Sequence, residues 1–489
     1  MLRTMAVSAP APVRSTREAI VGYFRDFRVL RETRAEYWGV QLVNFLDSTA
    51  YFALLNIAAV FLSEDLGLDD RSAGYTVAAF TSATSIFLLF SGMTTDWLGI
   101  RRSLNLALWG QLLLRGAVVG VGLTPDLPHR GLVAGVLLFL MSPFMAGIQT
   151  VFQSATNRYT TRRSRGAGFN LWYLFMNIGA AAAGLSIDLV RKALGLPNVH
   201  VFTLGVLSAV LCLVAARFLV RSEEQLVSDA DPVESRTEEA KVERTNPWKV
   251  WRAMLREPTL WRLLVLVLLI VGVRAVFAYL YLLMPKYWLR TIGPDAAIGT
   301  LNAINPIGIV VGLVLFIPFA NRWGVFRMLV YGAMVSAVSL FPLALPWTAF
   351  GLPIGQAHYF MALLAMVLLT IGEVVWSPKL YEYTAAIAPK GQEGTYLGLS
   401  LVPWFVAKTV VSAFSGHLLE CWCPETVTID GAAVPLQQAM VAGQLGYWER
   451  PEAMWLLLGG YALAGCLIAV LLEKWLNPGS RDHRPTSPA

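Results

Sequence analysis

Twelve mainly apolar stretches run along this chain, and several hold one charged residue near the middle. They lie at about 36–63, 72–94, 103–124, 131–155, 166–190, 201–220, 260–284, 297–319, 325–347, 357–387, 392–419 and 452–475. A helix needs about 20 mainly apolar residues to cross a bilayer. The first stretch, EYWGVQLVNFLDSTAYFALLNIAAVFLS, is long enough and carries Asp47 at its centre. An ionisable group at mid-bilayer costs roughly 2.5–3.5 kcal/mol on insertion scales, so it faces a protein interior or a watery path. The pattern predicts an all-α integral membrane protein of twelve transmembrane helices, numbered here as spans one to twelve, around a polar interior.

The segments between the spans divide the chain. Residues 1–35 are polar, and from about Ser15 to Arg34 the residues Ile20, Phe24, Phe27 and Leu30 recur opposite Arg17, Arg25, Arg28 and Arg31. That spacing predicts an amphipathic helix on the membrane surface. No short apolar core with a small-residue cleavage site follows, so no secretory signal is expected. Residues 36–221 and 260–476 form two six-span halves. The charged linker 222–259 joins them, ending in a short basic surface helix, NPWKVWRAMLREP, and 477–489 form a tail. A second long loop, 421–450, lies on the opposite side from the linker.

Composition narrows the class. Hydrophobic residues make up 56% of the chain and charged residues 15%, too apolar for a soluble protein of this length. The net charge of +7 would suit a nucleic-acid partner, but the placement of the cations explains it otherwise. With both termini inside, the inner segments collect most of the Lys and Arg, including Arg158, Arg162, Arg163 and Arg165, and the outer loops hold seven. Inner-side enrichment of cations sets membrane topology. The expected location is therefore the inner membrane of a bacterium with both termini cytoplasmic, with no nucleic-acid partner. The four cysteines and five histidines are scattered, so neither a disulfide framework nor a metal site is indicated, and no cofactor is expected.

The halves repeat. SGMTTDWLGIRRSL (91–104) aligns without gaps on IPFANRWGVFRML (317–329): Gly99 meets Gly324, Arg102 meets Arg327, and Asn321 replaces Asp96. Both segments follow the second span of a half. Two parallel repeats around a midplane site are a transporter architecture.

At GMTTDWLGIRR the sequence resembles the major facilitator superfamily, whose loop after the second span runs Gly-x-x-x-Asp-x-x-Gly-x-Arg-Arg. Gly92, Asp96, Gly99, Arg101 and Arg102 match it. Gly99 permits the tight turn and the arginines hold to the headgroups, while Asp96 can pair with them or with a helix N-terminus. The resemblance implies that this loop steadies the outward-facing state; a plain topology signal is the alternative. GFNLWYLFMNIG (168–179) and GEVVWSPKLYEYTAAIAP (372–389) further resemble the proton-coupled oligopeptide transporters in spans five and ten. This chain departs from that family elsewhere. Where the family's first span has Glu-x-x-Glu-Arg and then Tyr-Tyr, this one has Asn44, Asp47, Ser48, Tyr51 and Phe52. The family's peptide-carboxylate arginine falls on Leu55, and its span-four lysine on Gln149. The chain thus resembles a divergent member, lacking the cations that grip a peptide C-terminus.

Polar residues within the spans form stripes at helical spacing. Asn44, Asp47, Ser48 and Tyr51 make one on span one, and Gln149, Gln153 and Thr156 one on span four. Asn170, Tyr173 and Asn177 follow on span five, Arg274, Phe277 and Tyr281 on span seven, Glu373, Trp376 and Ser377 on span ten. In a two-half bundle, spans one, four, seven and ten surround a central cavity, so the stripes are expected to meet there. The alternative is that such groups only join helices, for about 0.6 kcal/mol each.

Glu373 is the leading candidate for proton coupling: it lies mid-span, five residues before Pro378. Burial disfavours the charged form of a carboxylate, which a proton carrier requires. Arg274 lies at similar depth and is the expected partner of the ionised form, with Asp47 a secondary carrier. Lys408 on span eleven and Arg115 on span three are candidate cavity cations, or else snorkelling or structural ones. Asp47, Glu373, Arg115, Arg274 and Lys408 together sum to +1, which favours an anionic or zwitterionic solute.

The expected function is secondary active transport of a small organic solute by a monomer, with proton symport by alternating access. Proton-driven efflux of amphipathic compounds and uncoupled facilitation are the alternatives. No Gly-x-x-x-x-Gly-Lys-[Ser/Thr] stretch is present, which argues against ATP drive within this chain. A polytopic membrane enzyme would need a reactive cluster at one membrane face, whereas the charges here sit at mid-depth on different spans.

Overall fold

A computed structural model describes residues 27–161, 164–222, 256–316, 324–387 and 402–477. Where they are described, the expected stretches are largely helical; 317–319 and 392–401 lie outside the described residues. Spans one to six are Ala35–Val60, Asp70–Leu98, Ile100–Leu123, Arg130–Tyr159, Arg165–Asp188 and Val199–Leu219. Span seven is the pair Pro258–Leu269 and Val271–Leu282. Spans eight to twelve are Ile298–Phe316, Val325–Val338 with Phe341–Ala344, Ile354–Ile387, Val402–Trp422 and Pro451–Leu471. Among the described residues, eight helices are long and apolar enough to cross a membrane, and span seven makes a ninth if its parts count together.

Among the described residues, spans two, eight and eleven miss that standard. Span eight is too short, as Ile298–Gly312, and spans two and eleven are diluted by polar residues. Thr76, Thr81, Ser82, Thr84 and Ser85 dilute one, and Lys408, Ser412, Ser415 and Glu420 the other. The two helices pack on each other, so part of their polar surface meets protein instead of lipid. The Ser82 and Thr409 hydroxyls lie 2.8 Å apart across that contact.

Span seven bends by 42° at Ile270. No proline causes this; span twelve does. Gly465 leaves room for the Leu269 carbonyl, and a side chain at Gly272 would lie 2.8 Å from the Ala462 backbone. The expected surface helix to Arg34 is also interrupted. Phe27–Glu32 form a single 3-10 turn, Arg34 is extended, and Leu30 is buried in the protein core rather than facing lipid. Residues 15–26 and the charged linker lie outside the described residues.

The packing map repeats between the halves. Span one packs on five, two on four, three on four and three on six; likewise seven packs on eleven, eight on ten, nine on ten and nine on twelve. The halves cross through two equivalent contacts, span two on eleven and span five on eight.

One end of the bundle, called here the linker end, carries residues 27–34 and the joint between the halves. The other, the hairpin end, carries the strands Thr426–Ile429 and Ala432–Pro435. Asp430 and Gly431 turn that hairpin with positive φ of 51° and 82°, as a two-residue hairpin turn requires. A large apolar core runs through both halves and includes Phe61, Phe202, Trp288 and Trp455. A separate core around Tyr37, Leu104 and Phe152 stays within the first half.

Candidate substrate cavity

Between the halves lies a cavity of about 380 Å³. Its N-terminal wall holds Tyr51, Phe52, Leu55 and Asn56 from span one, Gln149 and Gln153 from span four, and Trp172, Tyr173 and Asn177 from span five. Its C-terminal wall holds Arg274, Phe277 and Tyr281 from span seven, Asn302 and Asn305 from span eight, Glu373 and Ser377 from span ten, and Trp404 and Lys408 from span eleven. Of the residues expected to face a cavity, Tyr51, Gln149, Gln153, Tyr173, Asn177, Tyr281, Lys408, Arg274 and Glu373 come together here.

Asn44, Arg115 and Trp376 do not line it, and neither does Asp47. Span five covers the start of the span-one stripe. Gly179 lies so close that a side chain there would meet Ser48 Cβ at 2.8 Å, and Asn44 donates to the Trp172 carbonyl at 3.0 Å. Asp47 turns inward to Arg115 on span three, with Nη2 and Oδ1 3.5 Å apart and both side chains almost fully buried. Arg115 also donates to the Gly205 carbonyl at 3.3 Å. The pair belongs to the interior of the first half. Trp376 is likewise fully buried, donating to the Ser336 hydroxyl at 3.1 Å from behind the cavity wall.

Arg274 and Glu373 face the same space, yet no ion pair between them is formed. Asn305 holds Glu373 instead, donating to Oε2 at 2.8 Å. Asn305 also approaches the Thr370 hydroxyl at 3.3 Å, which ties spans eight and ten together. Arg274 is 9% exposed, and its Nε and Nη2 find no hydrogen-bond partner. Its guanidinium lies 4.5 Å from the ring centre of Trp376 and 6.0 Å from that of Trp404. Lys408 approaches the same Trp404 ring, at 4.6 Å, and donates across the cavity to the Tyr51 hydroxyl at 3.4 Å.

Sequence reasoning passed over Asn302 and Asn305. The signal was present as Asn-x-x-Asn-Pro inside an otherwise apolar stretch, since Pro306 removes a helical hydrogen bond and amides three apart share a face. It also passed over a set of contacts at the hairpin end. Asp70, the first residue of span two, binds Lys286 and Arg290 after span seven; Arg290 Nη1 lies 2.7 Å from its carboxylate. Lys286 also reaches Ser63, Arg71 meets Glu420, and Asp188 accepts from the Gly299 and Thr300 backbone at 2.9 and 2.6 Å. Asp69, in the preceding loop, accepts from the Ser72 hydroxyl and backbone, which holds its carboxyl below the usual carboxylate range. These contacts join the halves on the hairpin side of the cavity. Towards the linker end its lining continues through Leu88, Gln153 and Trp404.

At the turn between spans two and three, Gly99 has a φ of +82°, a conformation costly for other residues. Arg102 is exposed and Arg101 half-buried. Gly92 and Asp96 belong to the last turns of the span-two helix, and the Asp96 side chain lies outside the described residues.

Two halves with one repeated packing map, clamped at one end over a shared mid-depth cavity, define a membrane transporter. The sequence matches the family described as Major Facilitator Superfamily over residues 39–411, and the chain belongs to that superfamily. It is a transporter and not an enzyme. No curated protein sequence matches the chain significantly. Among solved structures, it is similar to a peptide transporter POT in complex with sulfate, with TM-score 0.66, 16% identity, and coverage of 91% of this chain and 95% of that one. A structure described under substrate recognition in proton dependent oligopeptide transporters gives TM-score 0.66 at 15% identity, covering 91% and 99%. An auto inhibited POT family peptide transporter gives 0.65 at 16%, covering 93% and 99%. At these identities the likeness is one of fold.

Proposed function

We propose that this protein moves a small organic solute across the membrane by alternating access, in symport with protons, and that Glu373 carries the proton. The observation that carries the reading is how Glu373 is held. It is half-buried in the cavity shared by the halves, on a proline-containing helix, and its hydrogen bond comes from a neutral amide. A carboxylate locked to a cation resists protonation, whereas an amide-held one can exchange its proton with the cavity. The fold shared with structures described as proton dependent transporters supports coupling.

The cation distribution supports cytoplasmic termini, so the clamped hairpin end faces outward and the state described is inward-facing. The same distribution fits a bacterial inner membrane, where the chain acts as a monomer. Asp47, paired with Arg115 inside the first half, serves the scaffold in this reading. Di- and tripeptides are poor candidates, because Leu55 and Gln149 leave the N-terminal wall without a cation.

Proteoliposomes under an imposed proton gradient, inside alkaline, test the proposal. A panel of organic acids, peptides and nucleosides should include solutes that accumulate only with the gradient. Equilibration to equal concentrations with and without it would leave an uncoupled facilitator.

A further inference from the structure

Resting on that transport site, we infer that the solute is an organic monoanion whose acidic group docks on the C-terminal wall between Arg274 and Lys408. Among the described residues lining the cavity, three side chains carry charge: the cations Arg274 and Lys408 and the carboxylate of Glu373. Among the described residues, the N-terminal wall offers amides, hydroxyls, rings and apolar side chains but no charged group. The surplus positive charge therefore sits wholly on one wall.

Arg274 shows what is missing there. A buried guanidinium without acceptors is costly, since desolvation of a charge is recovered only through paired hydrogen bonds. Its Nε and Nη2 are buried and unpartnered. Stacking on Trp376 offsets part of that cost but supplies no acceptor. A carboxylate, sulfonate or phosphate-ester oxygen pair matches a guanidinium edge in a bidentate fork. Lys408 lies over the same Trp404 ring with one long hydrogen bond, so its ammonium retains donors for the same acid group.

The remaining wall selects the rest of the solute. Trp404, Phe277, Tyr281 and Tyr51 present ring surface suited to a flat apolar body. A zwitterion carries no net charge and would leave the surplus cation of this wall unbalanced. With Glu373 ionised, Arg274 and Lys408 exceed it by one charge, which favours a single negative charge on the solute.

The test measures binding to purified full-length protein in nanodiscs, using 1-naphthoate, 1-naphthamide and 1-naphthylmethylammonium as shape-matched probes. The acid should bind at least about tenfold more tightly than the amide, and the ammonium more weakly than both. Arg274→Gln and Lys408→Gln should each remove most of that preference, the larger loss falling on the acid; Arg274→Lys should keep part of it. Lys408 is half-buried at the cavity surface, so Lys408→Gln provides a folded control, checked by its melting temperature. Equal binding of acid and amide, no binding of the acid, or a preference that survives both substitutions overturns the inference. Binding is read without transport, so the two readings fail separately. An acid that binds selectively but never accumulates would sink the coupling alone.

Discussion

Asn305 donates to the Glu373 carboxylate at 2.8 Å, joining spans eight and ten in the wall of the cavity. The hydrogen bond fixes the side chain without fixing its charge. Glu373→Gln mimics the protonated form, so accumulation driven by a proton gradient should vanish while solute exchange survives, because exchange needs no net proton movement. The same variant leaves Arg274 and Lys408 unopposed, so 1-naphthoate should bind severalfold more tightly. Continued concentrative uptake would place the proton site elsewhere.

Asp96 should matter for switching and little for affinity. It lies at the linker end of span two, one turn before the positive-φ Gly99 and two turns beyond Leu88, the last described residue of that span to line the cavity. Asp96→Asn keeps the shape and removes the charge. Uptake should fall by about tenfold or more, as expected when a conformational step is slowed, with probe affinity within about twofold of the parent. A parallel loss of binding would contradict a role confined to the gate.

Topology can be read with cysteine labels in a background lacking native cysteines. Sites in 223–250 and in 424–450 should react with impermeant reagents from opposite faces of the membrane. Labelling from the same face would mean an odd number of crossings in the second half.

The hairpin-end clamp depends on close helix approach. Gly299 and Gly184 bring spans eight and five into backbone contact, where a side chain on either would collide with the other's carbonyl. Gly299→Val should prevent closure at that end. Uptake should then be lost while Ser63→Cys, beneath the Asp70–Lys286–Arg290 cluster, becomes reactive from outside. An unreactive cysteine in an inactive variant would point to misfolding rather than to a held-open gate.

Much of this molecule is legible in its sequence, and the reasons are local. Apolar length marks most spans, and the Gly99 and Gly324 segments reveal the repeat. Glu373 and Arg274 announce themselves as charges in apolar surroundings. What stayed hidden depends on neighbours distant in sequence. Helical spacing places Asp47 on the same stripe as Tyr51, but only the packing of spans three and five shows that one is covered and the other open. Lys286 and Arg290 read as loop cations until Asp70, more than two hundred residues earlier in the chain, is brought against them. The break in span seven was invisible because its cause, Gly465, lies in span twelve.

The last prediction concerns Asp47 and Arg115. Their side chains are 1% and 2% exposed, and they meet within the first half rather than at the cavity. Removing one partner of a buried ion pair strands the other charge, at a cost of about 3–5 kcal/mol. Replacing both with neutral residues removes the stranded charge as well. Asp47→Asn and Arg115→Gln should therefore each lower the melting temperature of the purified protein, and the double variant should recover much of the loss. Proton-coupled uptake should follow stability: reduced in each single variant, restored in the double. A proton carrier would behave differently. If Asp47 shuttled protons, the double variant would regain its stability yet remain uncoupled, and the pair would belong to the transport machinery instead of the scaffold.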